Sequence, residues 1–132
     1  MTPFSPPPRD FNASDNSVFS QTPLILKTYQ LYHRLSPSIQ KFPKPWRYSV
    51  GEKLQNILLS IVEETTRSLY ARQPLKEPYV LDLLGSIQTL QLFIRLAFEE
   101  DLINEHQFFS FSDNVLELQR MAAGWLKSVR NN

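Results

Sequence analysis

After Pro23 apolar residues recur at three- and four-residue steps in four successive stretches, the spacing that gathers side chains on one face of a helix. In the first stretch Ile25, Tyr29, Tyr32, Leu35, Ile39 and Phe42 share a face. Pro37 falls inside it, where the absent amide removes a helical hydrogen bond, so the pattern predicts a kink there or a restart capped by Ser36. The second helix is expected from about Val50 to Tyr70, with Val50, Leu54, Ile57, Leu58, Ile61, Thr65 and Leu69 inward and Gln73-Pro74 as its stop. Between the two, Pro43 and Pro45 make a turn, and Ser49 with Glu52 reads as a capping box opening the second helix.

The third helix is expected from near Pro78, turning Val80, Leu84, Ile87, Leu90, Ile94 and Phe98 to the core. Leu92, Phe93 and Leu96 fall on the opposite side of the same helix, so that side is a candidate subunit interface. A short loop around Leu102 and Ile103 then leads to Asn104 as a cap, with Gln107 completing a capping box. Phe108, Phe111, Val115, Leu118, Ala122, Trp125 and Val129 mark a narrow seam along the fourth helix, suited to close helix packing. No β pattern is present. Four helices joined by connections of roughly five to seven residues predict an all-α, up-down-up-down antiparallel four-helix bundle over residues 23–130.

Residues 1–22 read differently. Pro3, Pro6, Pro7 and Pro8 with interleaved Ser, Asn, Asp and Thr offer too little clustered apolar surface to offset the entropy of ordering, so this segment is expected to be a disordered tail. The spacing of Phe4, Phe11 and Phe19 leaves open a docking role on a neighbouring subunit or partner.

At 132 residues and 42% hydrophobic content the chain suits one domain with a real core. It has no cysteine, which excludes disulfides, thiol catalysis and Cys-type metal sites. No apolar run reaches the roughly 18 residues that span a bilayer, and no secretory signal pattern opens the chain, so the cytoplasm is expected and a membrane is not. The net charge of +1 gives no global argument for nucleic acid. Charge is nevertheless segregated: Lys27 to Lys53 carries six cations against one acid, and Glu63 to Glu117 ten acids against four cations.

Four motifs carry a family resemblance. They are Tyr29-Gln30-Leu31-Tyr32 with Lys41-Phe42-Pro43-Lys44; Arg47-Tyr48-Ser49-Val50-Gly51-Glu52-Lys53-Leu54; Leu92-Phe93-Ile94-Arg95-Leu96-Ala97; and Arg120-Met121-Ala122-Ala123-Gly124-Trp125-Leu126-Lys127-Ser128. In this order, over about Pro23 to Ser128, they resemble the four-helix-bundle family that includes the accessory variability determinant, Avd, of diversity-generating retroelements. A related group of bundles, encoded in ribosomal RNA intervening sequences, shares the Phe-Pro-Lys turn, but its Ser-Asn-Ala/Ile-x-Glu-Gly signature is absent here. The resemblance implies a homopentameric barrel that associates with a reverse transcriptase and binds RNA or DNA, the enzyme copying a template RNA with errors at adenines. It implies that the accessory protein is not the catalyst.

The residues themselves offer little catalytic chemistry. His33 and His106 have no partner at metal-ligand spacing, Glu63-Glu64 and Glu99-Glu100-Asp101 read as solvated faces, and with only three glycines there is no phosphate loop. No enzyme, metal or cofactor is expected. Two basic sets are the candidates for holding nucleic acid or the reverse transcriptase. Lys41, Lys44, Arg47 and Lys53 are interleaved with Phe42, Trp46 and Tyr48 at one end of the expected bundle, where phosphate contacts and base stacking can combine. Glu99, Glu100, Asp101 and Glu105 are expected to neutralise that end in part through salt bridges. Arg67, Arg72, Arg120, Lys127 and Arg130 are expected together at the other end. Arg95, among Leu92, Phe93 and Leu96, should either reach solvent or pair with an acid across a subunit interface. Trp125 is expected as a buried anchor with its indole N–H bonded.

Overall fold

Pro23 sits in the first turn of α1 (Pro23–Gln40), where a missing amide donor costs nothing. The computed structural model describes residues 22–131, so the expected tail, Thr22 excepted, lies outside the described residues. The helix runs through Pro37 without ending, and no restart occurs. Leu35 and Ile39, buried on either side of Pro37, hold it by packing, while Pro37 itself is exposed. The Ser36 hydroxyl caps nothing; it donates to the Tyr32 carbonyl at 2.8 Å. The buried residues of α1 are Leu24, Ile25, Thr28, Leu31, Leu35 and Ile39, and Tyr29 and Tyr32 sit at the flank of this stripe rather than within it. Thr28 can occupy the core because its hydroxyl donates to the Leu24 carbonyl at 2.7 Å.

Pro43 ends the turn, and the chain becomes helical again at once. A short α-helical turn Lys44–Trp46 and a π-helical turn Arg47–Gly51 lead directly into α2 (Glu52–Tyr70). The capping box expected at Ser49 and Glu52 is therefore absent. Ser49 lies inside helical backbone, its hydroxyl donating to the Pro45 carbonyl at 2.8 Å. Pro45 needs no partner for a donor it lacks, so it starts this helix instead of preceding it. Inward along α2 are Leu54, Ile57, Leu58, Ile61, Thr65 and Ser68, with Leu69 only half-buried.

The third helix, α3 (Lys76–Glu99), buries Val80, Leu83, Ile87, Leu90, Ile94 and Ala97 at alternating three- and four-residue steps. Leu84 and Phe98 lie beside this stripe as partly buried residues packed against the core. The reason is that α3 packs closely on both α2 and α4, so its inward axis falls between two neighbours. The same packing accounts for its composition. By length and hydropathy α3 is apolar enough to cross a membrane, contrary to the expectation from its interrupted apolar runs. Its buried stripe covers the bundle core, while Leu81 and Leu92 on the outer side stay exposed.

At its end Asp101 takes a left-handed backbone, φ 58°. The Leu102 amide donates to the Ala97 carbonyl at 2.8 Å and the Asp101 amide to Phe98 at 3.0 Å, a Schellman closure. α4 (Glu105–Arg130) opens with the expected capping box between Asn104 and Gln107. Its seam holds, with Phe111, Val115, Leu118, Ala122 and Val129 buried. The four long helices form an all-helical bundle in which α1 packs on α2 and α4, and α3 on the same two from the other side.

Candidate nucleic-acid interface

The antiparallel order puts the α1–α2 and α3–α4 turns at one end of the bundle, as the Gln107–Ser38 side-chain hydrogen bond at 3.2 Å attests. Lys41 and Lys44 flank Phe42, which is buried and anchors the turn. Arg47 begins the π-helical turn, and its guanidinium carbon lies 6.0 Å from the centroid of the Tyr48 ring. Its Nε is buried without a hydrogen-bond partner. Gly51 closes the turn against α1: a Cβ added there would stand 2.7 Å from Ile39 Cγ2. That close approach sets how far the turn can lie from α1.

The salt bridges expected at this end do not form. Among the described residues the ion pairs are Lys27–Glu117, Arg95–Glu99 and Arg130–Glu77. None joins Lys41, Lys44, Arg47 or Lys53 to Glu99, Glu100, Asp101 or Glu105. Helices crossing at a fixed distance bring these groups to one end without bringing them within bonding reach.

At the other end Arg67 falls in the last turn of α2, Arg72 follows it, Lys127 and Arg130 fall in the last turn of α4, and Arg130 is held by Glu77 at 2.7 Å. Arg120 is not with them. Ten residues back along α4, it stands about 15 Å from Arg130 at the rise of an α-helix. Here too lies an open apolar recess of about 400 Å³ lined by Thr22, Pro23, Leu24, Leu69, Lys76, Met121 and Trp125. Trp125 is half-buried, and its indole N–H has no partner among the described residues, so the expected bonded anchor is an anchor by packing alone.

The outer face of α3 divides. Leu92 is 66% exposed, and Leu81 on the same side is also exposed. Phe93 and Leu96 are half-buried and pack against the core, correcting the expectation that they stand opposite to it. At 100° per residue Phe93 lies at the edge of the buried stripe, where the core covers it in part. Arg95 is exposed and pairs with Glu99 one turn on, at 3.7 Å.

Glu64 departs from the solvated face expected of it. Ser86 on α3 donates to its Oε1 at 2.9 Å, and Oε2 is buried without a partner. Burial pushes this carboxyl above the ordinary glutamate value; Asp82 and Glu63 add to the rise, and the Ser86 bond and Arg67 oppose it. His33 and His106 are exposed, the former edge-on to Tyr32 at 6.0 Å. Among the described residues no group of His, Asp and Glu gathers as metal ligands do.

One feature was not visible in the sequence. Gln40 from the end of α1 meets Arg47, Tyr48, Glu52 and Gln55 around a recess of about 280 Å³. The four- and three-residue steps from Lys44 through Tyr48 and Glu52 to Gln55 were a partial signal, but Gln40 joins them only because α1 packs on this turn.

No curated protein and no solved structure matches the chain. The sequence model of the bAvd-like family matches residues 24–129, spanning all four helices. The turn, the third-helix pattern and the closing Gly-Trp motif thus sit within one family-wide match, and the chain belongs to the bAvd-like family.

Proposed function

We propose that this protein is a non-catalytic accessory subunit of a diversity-generating retroelement, acting in the cytoplasm. It assembles with copies of itself into a barrel, a pentamer by the family resemblance, and binds the reverse transcriptase and RNA or DNA through its basic surfaces. The observation that carries the reading is the family match over residues 24–129. The charge arrangement supports it: of Lys41, Lys44, Arg47, Lys53, Arg67, Arg72, Arg120, Lys127 and Arg130, only Arg130 is held in an ion pair among the described residues. Cations left unpaired by their own chain can meet phosphate at little cost in broken contacts. Exposed Leu92 and Leu81 support assembly, with Arg95 beside them already neutralised by Glu99.

Gel shifts with RNA and with a retroelement reverse transcriptase test the reading, and light scattering tests the assembly. Binding that weakens steeply with salt is expected, because each phosphate contact releases counterions. Absence of any association at low salt refutes it. The net charge of +1 favours a second reading, a scaffold of the same fold that binds protein only. Salt-insensitive binding to a protein partner without RNA affinity identifies that case.

A further inference from the structure

Arg47 is a half-buried arginine with an unused donor. Its Nε–H is shielded from water and meets no acceptor, an arrangement that costs free energy in the isolated chain. Glu52 lines the same recess but is not within ion-pair distance of it. Beside the guanidinium, Tyr48 is 63% exposed, an unusual position for an aromatic ring next to a charged pocket. Both project from a π-helical turn, a local geometry often found at functional sites. Lys44, one turn before Tyr48, and Lys41 at the end of α1 are exposed and form no ion pair. The carboxamides of Gln40 and Gln55 line the recess with Glu52.

We infer that the Arg47–Tyr48 recess is a site for one unstacked nucleotide of a single strand; this rests on the nucleic-acid reading proposed above. The base lies on the Tyr48 ring, its edge facing Gln40, Glu52 and Gln55; the Arg47 guanidinium turns from its place over that ring to the phosphate, which exposes its shielded Nε–H, with Lys44 and Lys41 nearby. A duplex does not fit the same role, because its bases are already stacked and present no free face to Tyr48. Arginine supplies the planar donors that phosphate oxygens accept in pairs. Glu52 repels phosphate, which confines the phosphate to the Arg47 side of the recess, and its carboxylate accepts from base amino groups.

The test uses the full chain, fluorescence anisotropy at low salt, and a labelled single-stranded RNA beside the same sequence as a duplex. The single strand is expected to bind the more tightly. Because Tyr48 is exposed, Tyr48→Ala leaves the fold intact and weakens single-strand binding by about ten-fold, within the range for loss of one base stack. Tyr48→Phe keeps affinity within about two-fold, and Tyr48→Ala leaves duplex binding unchanged. Arg47→Ala lowers single-strand affinity and reduces the salt slope by about one. If RNA binds but Tyr48→Ala is silent, or duplex and single strand lose equally, this site is refuted while the nucleic-acid reading stands. If no RNA binds at low salt, both fall together.

Discussion

Gly51→Ala sets two effects of opposite sign against each other. In a helical segment alanine is favoured over glycine by about 1 kcal/mol, so helix propensity alone predicts a more stable protein. The structure predicts the reverse. The new methyl would stand 2.7 Å from Ile39 Cγ2, with Phe42 Cδ2 at 3.4 Å and the Trp46 carbonyl at 3.5 Å. Ile39 is 0% exposed and β-branched, so its methyl cannot swing away without entering another part of the core. Overpacking of this kind costs about 1–3 kcal/mol, leaving a net loss of about 1 kcal/mol once the propensity gain is subtracted. Urea unfolding followed by circular dichroism, at fixed protein concentration, reads this as a midpoint lowered by about 0.5 M for a slope of about 2 kcal/mol/M. Ile39→Leu moves the offending branch and should rescue much of the loss in the double variant. An unchanged or raised midpoint for Gly51→Ala alone refutes the close-approach argument, and with it the account of how α1 fixes the Arg47–Tyr48 turn.

Further variants probe other parts of the bundle. Leu92→Glu, at a 66% exposed position, should retain helix content while lowering the mass seen by light scattering; an unchanged mass rules out that face as the interface. Phe93→Glu is the poorer probe, because Phe93 packs on the core and its loss lowers stability by itself. Asp101→Gly relieves a side chain from a left-handed backbone, and a gain of about 0.5 kcal/mol is expected after the greater unfolded-state freedom of glycine is allowed for; a loss shows that the Asp101 side chain contributes more than its strain costs. Glu64 has a folded-state pKa raised above 4.5, so its contribution to stability is fully present below that value and is lost as pH rises through the folded value. Glu64→Gln should match the parent near pH 4 and be more resistant to urea near pH 7; equal midpoints at both pH values overturn the burial of this carboxylate.

Helix existence and the seam of α4 were legible because both depend on residues a few positions apart. Phe111, Val115, Leu118 and Ala122 carry a period that only one helical face satisfies, and Asn104 with Gln107 forms its capping box within a single turn. Ser49 and Glu52 show the same local pattern and yet make no cap, because Pro43 and Pro45 had already begun the helix six residues earlier than the box implies. Two local signals competed there, and the proline rule prevailed.

Local pattern was enough to place the helices in order and, through four ordered motifs, to point to the bAvd-like family. It also determined the segregation of charge along the chain. Which cations remain unpaired, and which apolar residues remain uncovered, depends on how the helices pack. Phe93 and Leu96 look external from α3 alone, but in the bundle, where α3 packs on both α2 and α4, they are partly buried against the core. Gln40 reaches Tyr48 and Gln55 only through the packing that Gly51 permits. Periodicity records the direction in which a side chain leaves its own helix; whether another helix stands there is a matter of distance between segments, which no local pattern contains.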